Sequence, residues 1–367
     1  MIRGNGMLRD RVLEHLAALI ASDTQNPPRE IDGDNPFIGH CRRSLGSDFQ
    51  VEVRDYGEGR VSFYAVRGKP RILFNVHLDT VPVGLGWSTD PLRMQVDEEK
   101  AIGRGACDIK GAAACLLAIA EQAPDNMALL FTTDEEGVGA CCVREFCEFG
   151  EHRQYRQAVV AEPTGCESVL GHRGILSVES RFHGTPGHSS EARALRDSAI
   201  HQMSRWAAGA LEVAAEKVTP QNPPGSCLNL GHVEGGTASN VIAGEAAMKW
   251  SARLRPGSSN RAFLEQLRAC VPADAQVDWD VQFAGEPLPA TDRNDEEARG
   301  FAARHGLPVA GDVDFWTEAA IFSEFGLPAL VLGPGRIEQA HIADEWVALA
   351  QLDRACELYG DIIESDR

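Results

Sequence analysis

Two adjacent glutamates, Glu135 and Glu136, follow an apolar run and offer the carboxylates that hydrolytic chemistry needs. The run Leu129–Phe131 has the character of a buried strand, and the chain leaves it through Thr132–Asp134. In an open α/β sheet, ligands gather beyond the carboxyl ends of the strands. One glutamate placed there can bind a metal ion while its neighbour transfers a proton. For an isolated acidic pair a solvated loop is the simpler interpretation, so the rest of the chain decides.

Other apolar runs of strand character end in residues of the same kind. Ile72–Val76 leads to His77 and Asp79, and Ala158–Ala161 leads to Glu162. Short runs without alternation are typical of strands covered on both faces, as in parallel sheets. Such strands would bring these side chains to one rim of the sheet.

Two further candidates come from loops. Asp108 precedes an alanine-rich helix that begins at about Ala112, where an N-cap aspartate is the simpler interpretation. His341 lies at the end of a glycine-flanked loop after the run Ala329–Leu332, where it could be an ordinary surface residue. Each residue alone is a weak signal, but together they predict one site.

The chemistry of the set points to metal-assisted hydrolysis. Two histidines with three or more carboxylates suit Zn²⁺, with Mn²⁺ or Co²⁺ as substitutes. Five such ligands are too many for one tetrahedral ion, and they suffice for two ions if one carboxylate bridges them. A two-metal site polarises a carbonyl group and supplies hydroxide near neutral pH. Asp79, two residues after His77, is placed to accept a hydrogen bond from the ring and fix its tautomer.

Sequence motifs that would indicate a different function are incomplete or absent. Gly103, Gly105 and Gly111 do not form the glycine pattern of a dinucleotide-binding loop, and Lys110-Gly111 reverses the order found in phosphate-binding loops. The chain has no Gly-x-Ser-x-Gly sequence, which weakens a serine-hydrolase interpretation.

Composition narrows the class of protein further. A chain of 367 residues favours two domains, and a net charge of −19 argues against nucleic acid or an anionic membrane as a partner. The ten cysteines are scattered without a Cys-x-x-Cys pair, which favours reduced thiols in the cytoplasm. We find neither a signal peptide nor an apolar stretch near the roughly 20 residues of a membrane span. We therefore expect a cytoplasmic protein.

The pattern of predicted strands and helices changes twice along the chain. Residues 1–170 alternate strands and helices in the manner of an α/β sheet, and this alternation resumes over residues 286–367. Between them, residues 171–285 contain two longer alternating strands, Ile175–His183 and Val241–Leu254, and a helix near Asp197–Ala215, an α+β composition. The pattern predicts an α/β domain split by an inserted second domain.

The ordered motifs resemble a known family, the co-catalytic zinc metallopeptidases that include acetylornithine deacetylase, succinyl-diaminopimelate desuccinylase, carboxypeptidase G and aminoacylase. The resemblance runs from Thr24–Pro28 to Asp344-Glu345, nearly the whole chain. The segments that carry it are His77–Pro82, Gly105–Gly111, Asp134–Glu136, Glu162–Thr164 and Ala340-His341. It implies a zinc-exopeptidase-like catalytic domain, with a mixed sheet flanked by helices, and an inserted dimerisation (lid) domain.

The resemblance also implies roles for individual residues. Two Zn²⁺ ions would be held by His77 and Glu162, by Glu136 and His341, and by Asp108 as the bridge, with Glu135 as the general base. His188, in Gly187–Ser190, would reach the site of the partner subunit in a homodimer and stabilise the oxyanion.

Substrate contacts are implied less sharply. Asn240 and Arg253 would meet the substrate backbone and its carboxylate, with Arg255 as the alternative arginine. Ser251 stands where many relatives have an aspartate, and Ala343 stands where a proline is usual. Thr317, Glu318 and Gly333 complete the candidate substrate-binding set.

Several segments favour the acetylornithine deacetylase branch, among them Asn229–His232 and Leu332–His341. The expected function is removal of acetate from an Nα-acetylated amino acid of arginine synthesis, either N-acetyl-L-citrulline or N-acetyl-L-ornithine. The alternatives are a desuccinylase, a dipeptidase or an aminoacylase-type amidase of the same family. A metal-poor binding protein is disfavoured because all five ligands and the base are present.

Overall fold

The computed structural model describes residues 5–28, 30–137, 141–216 and 227–365. The chain divides into two compact units. The first contains Met1–Gly171, Thr291–Asp312 and Thr317–Arg367, and the second contains His172–Ala290 with Val313–Trp316. The sequence analysis predicts boundaries at 170/171 and 285/286, whereas the second unit runs from His172 to Ala290 and also contains Val313–Trp316. The role of the inserted segment in dimerisation stays a prediction.

The described residues form strands and helices in the following order along the chain. The strands are β1 (Gln50–Asp55), β2 (Val61–Arg67), β3 (Ile72–His77), β4 (Gln95–Val96), β5 (Lys100–Ile102), β6 (Met127–Thr132), β7 (Gln157–Val160), β8 (Gly174–His183), β9 (Cys227–Gly235), β10 (Glu245–Leu254), β11 (Gln276–Gly285), β12 (Ala329–Val331) and β13 (Trp346–Ala348). The helices are α1 (Asn5–Ala21), α2 (Pro36–Leu45), α3 (Gly111–Ala120), α4 (Cys141–Glu148), α5 (Ala194–Asp197), α6 (Ala199–Glu216), α7 (Asn260–Arg268), α8 (Asp292–Arg304), α9 (Ala319–Glu324) and α10 (Leu349–Ser365).

The first unit is built on a six-stranded mixed sheet in the order β1-β2-β6-β3-β7-β12. Strands β6, β3, β7 and β12 run parallel, whereas β1 and β2 form an antiparallel edge. Every residue of β3, β6 and β7 is buried, because continuous apolar runs can be covered on both faces. This confirms the α/β class with a mixed sheet, and it places four strand ends at one edge.

Helix α3 lies at the centre of the first unit, and all ten of its residues are buried. Six of them are alanine or glycine, so neighbouring elements can approach its backbone closely. A Cβ on Gly111 would lie 2.6 Å from the carbonyl oxygen of Ala106, so this position at the start of the helix requires glycine. The helix begins one residue after the turn that carries Asp108, and it therefore fixes one side of the site.

The second unit is an antiparallel sheet in the order β11-β8-β10-β9 with its core against α6 and α7. Trp206 of α6 is fully buried, and its ring lies 5.8 Å from that of Trp250 and 5.5 Å from that of Trp279. The sequence analysis predicted β8 and β10 but not β9 and β11, most of whose residues are exposed. It also began β10 at Val241, whereas the strand begins at Glu245.

Two further findings concern the cysteines and the helices. All ten cysteines are free thiols, as their spacing predicted. Within the described ranges, every helix is too short or too polar to cross a bilayer.

A buried histidine of α1 gives a testable prediction about acid stability. His15 is 1 % exposed, its Nδ1 lies 3.0 Å from Nε2 of His40, and burial lowers its pKa to about 4 against the opposing charge of Glu121. The unfolded chain takes up this proton at about pH 6.5, so folding stability falls as the pH drops from about 6.5 to 4. We expect His15 to account for a loss of about 2 kcal/mol between pH 7 and pH 5.

The measurement is chemical unfolding of the parent, of His15→Leu and of the exposed-histidine control His201→Gln at both pH values. His15→Leu should lose less stability on acidification than the parent, and His201→Gln should follow the parent. Equal losses in all three proteins would contradict the assignment.

Candidate metal centre

The parallel strand ends assemble the predicted residues at one edge of the sheet. His77 ends β3, Glu135 and Glu136 follow β6, and Glu162 follows β7. The register pairs His77 directly with Thr132, so the segments that leave these two strands are neighbours. Strand topology therefore brings distant parts of the chain together at this edge, as the sequence analysis expected.

Two triads of potential ligands share one residue, Asp108. The first consists of His77, Asp108 and Glu162, and the second of Asp108, Glu136 and His341; within each triad the ligand atoms lie within 4.8 Å of one another. Oδ1 of Asp108 is 3.1 Å from Nε2 of His77, and Oδ2 is 3.1 Å from Nε2 of His341. The two carboxylate oxygens thus face different histidines, which is the arrangement of a bridging ligand.

The tautomer of His77 leaves its ligating nitrogen free. Nδ1 lies 3.0 Å from the backbone carbonyl of Asp79, an acceptor, so a neutral ring carries its proton there. Asp79 is thus the acceptor that the sequence analysis predicts, and it accepts through its backbone carbonyl, since its carboxylate Oδ1 is farther away, at 3.5 Å. Nε2 of the neutral ring then presents a lone pair to oxygens of Asp108 and Glu162, at 3.1 and 3.5 Å. These groups repel one another unless positive charge lies among them.

The pKa values of the carboxylates and histidines in this cluster also indicate that it requires additional positive charge. Burial raises the pKa of Glu135, Glu136 and Glu162, in the last case to about 7, and the neighbouring carboxylates add to the effect. Hydrogen bonding to Asp108 and then to Glu136 raises the pKa of His341 to about 10. Burial alone would lower the pKa of His77, but the charge of Glu162 and the bond to Asp108 raise it well above its usual value.

The residues present fit divalent cations. Oε1 of Glu162 is buried and has no hydrogen-bond partner in the part of the chain that the structure describes, so this oxygen is available to a cation. Mixed imidazole and carboxylate sets suit Zn²⁺ and its neighbours in the first transition row. The donor set, its burial and its excess of negative charge therefore define a metal-binding cluster.

The Asp79 carboxylate holds the backbone of both glutamates. It accepts hydrogen bonds from the amide of Glu136 at 2.9 Å and, more loosely, from that of Glu135 at 3.3 Å. Next along the chain, Asp134 accepts from the amides of Cys141 and Cys142 at 2.6 and 3.0 Å and so caps α4. Hydrogen bonds to Asp79 and Asp134 therefore fix the glutamate turn, Asp134–Glu136. The sequence analysis did not predict this contribution of Asp79.

Two residues that support the site were missed. Asn26 donates its side-chain amide to the carbonyl of Thr133 at 2.7 Å, beside the glutamate turn. Glu345 is buried and accepts from the amide of Asp108 at 3.0 Å. Both lie in the motifs that mark the ends of the family resemblance, Thr24–Pro28 and Asp344-Glu345, and that position was the only signal for them.

The predicted substrate-binding residues of the first unit are buried, and they contact other residues of the same chain. Thr317 Oγ1 accepts from the amide of Ala319, and the Glu318 carboxyl accepts from Thr132 Oγ1 at 3.1 Å. Burial, followed by the charge of Asp134, raises the pKa of Glu318 to about 8. A Cβ on Gly333 would lie 2.5 Å from the carbonyl oxygen of Glu162, so this glycine permits a close backbone approach. Substrate contact by Thr317, Glu318 and Gly333 stays a prediction.

In the second unit, His188 and Asn240 lie on paired segments. The amide of Ser189 donates to the carbonyl of Asn240 at 3.1 Å, and His188 forms a bridge with Val241. Nδ1 of His188 accepts from the backbone amide of Ser190 at 3.3 Å. A neutral His188 therefore carries its proton on Nε2, and its exposed ring can donate from that atom.

The two candidate arginines, Arg253 in β10 and Arg255 directly after it, differ in their surroundings. Arg253 is half-buried, burial lowers its pKa, and its guanidinium has no acidic partner among the described residues. Arg255 takes part in an interaction within the chain. In a chain with a net charge of −19, a half-buried arginine without a partner is a candidate anion site.

The strand ends and the histidine–carboxylate cluster define a class, an α/β enzyme that hydrolyses its substrate with the help of bound metal ions. Residues 73–365 match the model of peptidase family M20/M25/M40, and the chain belongs to that family.

Curated relatives narrow the comparison. The chain is 44 % identical over 358 residues to an N-acetyl-L-citrulline deacetylase of Xanthomonas campestris pv. campestris, covering 96 % of this chain and 97 % of that protein. It is 31 % identical over 364 residues to an acetylornithine deacetylase of Myxococcus xanthus, covering 93 % of each.

Solved structures support the fold. Aminopeptidase PepT of Bacillus cereus superposes with a TM-score of 0.72 at 18 % identity, covering 97 % of this chain and 98 % of that one. A putative aminohydrolase of methicillin-resistant Staphylococcus aureus superposes with a TM-score of 0.73 at 14 % identity and covers 98 % of each chain.

Proposed function

We propose that the protein is a dizinc amide hydrolase that removes acetate from N-acetyl-L-citrulline. The observation that carries this proposal is that two ligand triads share Asp108, and that Glu135, which directly precedes Glu136 of the second triad, interacts electrostatically with His77 and Glu162 of the first. The 44 % identity to an N-acetyl-L-citrulline deacetylase over 96 % of the chain supports the substrate. N-acetyl-L-ornithine is the second candidate, supported by the 31 % identity to an acetylornithine deacetylase.

The residues of the two triads would hold the ions, with Asp108 as the bridge. When bound, two divalent ions would polarise the amide carbonyl and lower the pKa of water. Glu135 belongs to neither triad, and its carboxylate accepts no hydrogen bond from the described residues. It is therefore free to take a proton from the attacking water and to return it to the departing amine.

His188 and the inserted unit complete the proposal. His188 would donate Nε2–H to the oxyanion, and we place it in the site of the second subunit of a homodimer. The edge strand β9 pairs only with β10 among the described strands, which leaves its other edge available to a second copy. A cytoplasmic location is part of the proposal, supported by the ten free cysteines.

The test is acetate release by the zinc-loaded protein from N-acetyl-L-citrulline and N-acetyl-L-ornithine at equal concentrations. We expect kcat/KM to favour acetylcitrulline by at least about tenfold, because a site built for a neutral ureido group leaves polar atoms unpaired with an ammonium group. N-succinyl-diaminopimelate and a dipeptide serve as controls. A preference for acetylornithine would reassign the substrate, and no acetate release with two ions bound would overturn the deacetylase proposal.

Arg253 gives a prediction about the substrate carboxylate. Replacing it by methionine should raise KM by about 10- to 100-fold, because a hydrogen bond to a charged group contributes about 1.5–3 kcal/mol. Steady-state kinetics of Arg253→Met and of the matched control Arg255→Met would measure this. Arg255→Met should stay within about threefold of the parent. The reverse pattern would assign the carboxylate to Arg255.

A further inference from the structure

The buried carboxylate of Glu345 is hydrogen-bonded to the backbone of Asp108, the residue that the two triads share. Its side chain is 1 % exposed and accepts four hydrogen bonds. Oε1 accepts from the amides of Cys107 and Asp108, both at 3.0 Å. Oε2 accepts from Nη1 of Arg104 at 2.7 Å and from the amide of Gly105 at 3.1 Å.

These bonds do more than neutralise a buried arginine. Three of the four donors are backbone amides of the turn that carries Asp108. Within this turn Asp108 has φ −120° and ψ 91°, so its backbone leaves the helical path. The backbone of Glu345 adds a fifth bond, because its carbonyl accepts from the amide of Gly103 at 2.9 Å. Glu345 therefore accepts hydrogen bonds from amides at the start of this turn, where a helix supplies no partner of its own.

Glu345 also connects the two halves of the candidate centre. It lies four residues after His341, and its bond to the Asp108 amide joins segments 237 residues apart in the chain. Asp108 faces His77 with Oδ1 and His341 with Oδ2, so a displacement of its backbone changes the distance to both histidines. A carboxylate that serves two ions tolerates little displacement, because sites of this kind require placement to within about 0.5 Å.

We infer that Glu345 is a positioning residue, one that fixes the shared Asp108 between the two triads and ties it to the segment of His341. The inference rests on the proposed two-ion centre. Residues that orient metal ligands typically cost about 10–100-fold in metal affinity when they are removed. Because Asp108 belongs to both triads, loss of Glu345 affects both binding steps, whereas loss of a residue behind a single ligand affects one.

The test is metal binding by the apoprotein, with Zn²⁺ followed by calorimetry and Co²⁺ followed by its visible absorption. Glu345→Ala removes all four side-chain bonds, and we expect both ions to bind about 10–100-fold more weakly. The Co²⁺ absorption should change in shape as well as in strength, because the geometry of the ligands changes. A purely stabilising role would lower the melting temperature and leave the affinities and the spectrum unchanged.

The matched control is Arg104→Gln, which breaks the buried ion pair and leaves the three amide bonds to Glu345 in place. We expect it to lower the melting temperature while both affinities stay within about threefold of the parent. If Glu345→Ala does not fold, Arg104→Gln/Glu345→Ala replaces it, because removal of both partners leaves no unpaired buried charge.

The outcomes separate this inference from the proposed function. A parent protein that binds fewer than two ions contradicts the two-ion centre itself. A parent that binds two ions, with a folded Glu345 variant that binds them at parental affinity and with the parental Co²⁺ spectrum, overturns the role of Glu345 alone.

Discussion

Replacing Glu135 by glutamine should lower kcat by about 10²–10⁴-fold, because general acid–base catalysis contributes that much to hydrolytic reactions. Glutamine keeps the shape of the side chain but cannot take a proton from water. Glu135 is not a member of either ligand triad. It donates a hydrogen bond to Asp79 from its backbone amide, so its own side chain is not involved. KM and the number of bound ions should therefore match those of the parent.

The measurement is steady-state acetate release together with the metal content of each protein. Glu136→Gln is the matched control, since its neighbouring side chain belongs to the second triad, where Oε1 lies 2.8 Å from Nε2 of His341. That variant should lose both activity and affinity for one ion. Turnover of Glu135→Gln within tenfold of the parent would remove Glu135 from the role of base.

The parallel sheet and the residues at its edge could be predicted because both are local in the sequence. A short, continuously apolar run defines a covered strand, and the residues directly after it must lie at the strand end. His77, Glu135, Glu136 and Glu162 follow from this rule without knowledge of the neighbouring strands. Asp108 and His341 lie in loops, so this rule does not cover them. Their place in the site was predicted from the ligand chemistry of the whole set, and the family resemblance then gave them their roles.

The supporting residues could not be predicted from such patterns. The bond of Glu345 to the Asp108 amide spans 237 residues, and that of Asn26 to the carbonyl of Thr133 spans 107. No periodicity links positions that far apart, and a buried carboxylate in a loop looks like a solvated one in the sequence. Strands β9 and β11 were missed for a related reason, because their mostly exposed residues weaken the apolar alternation that marks a strand.

Replacing Asp108 by asparagine should abolish measurable turnover and weaken the binding of both ions. Its carboxyl is buried, yet hydrogen bonds from His341 and His77 hold its pKa below the usual range, so it is charged in the folded protein. Asparagine offers a single oxygen and no charge, so at most one of the two triads keeps an oxygen ligand at this position. We expect each affinity to fall by more than about 100-fold, the upper range for residues that only orient ligands.

Calorimetric titration of the apoprotein with Zn²⁺ would measure both binding steps. Glu162→Gln and Glu136→Gln are the matched controls, because each removes a carboxylate from one triad. Each control should weaken one step and leave the other near the parental value, whereas Asp108→Asn should weaken both. If Asp108→Asn weakened a single step, Asp108 would belong to one ion only. The 3.1 Å approaches of its two oxygens to different histidines would then reflect proximity and not shared ligation.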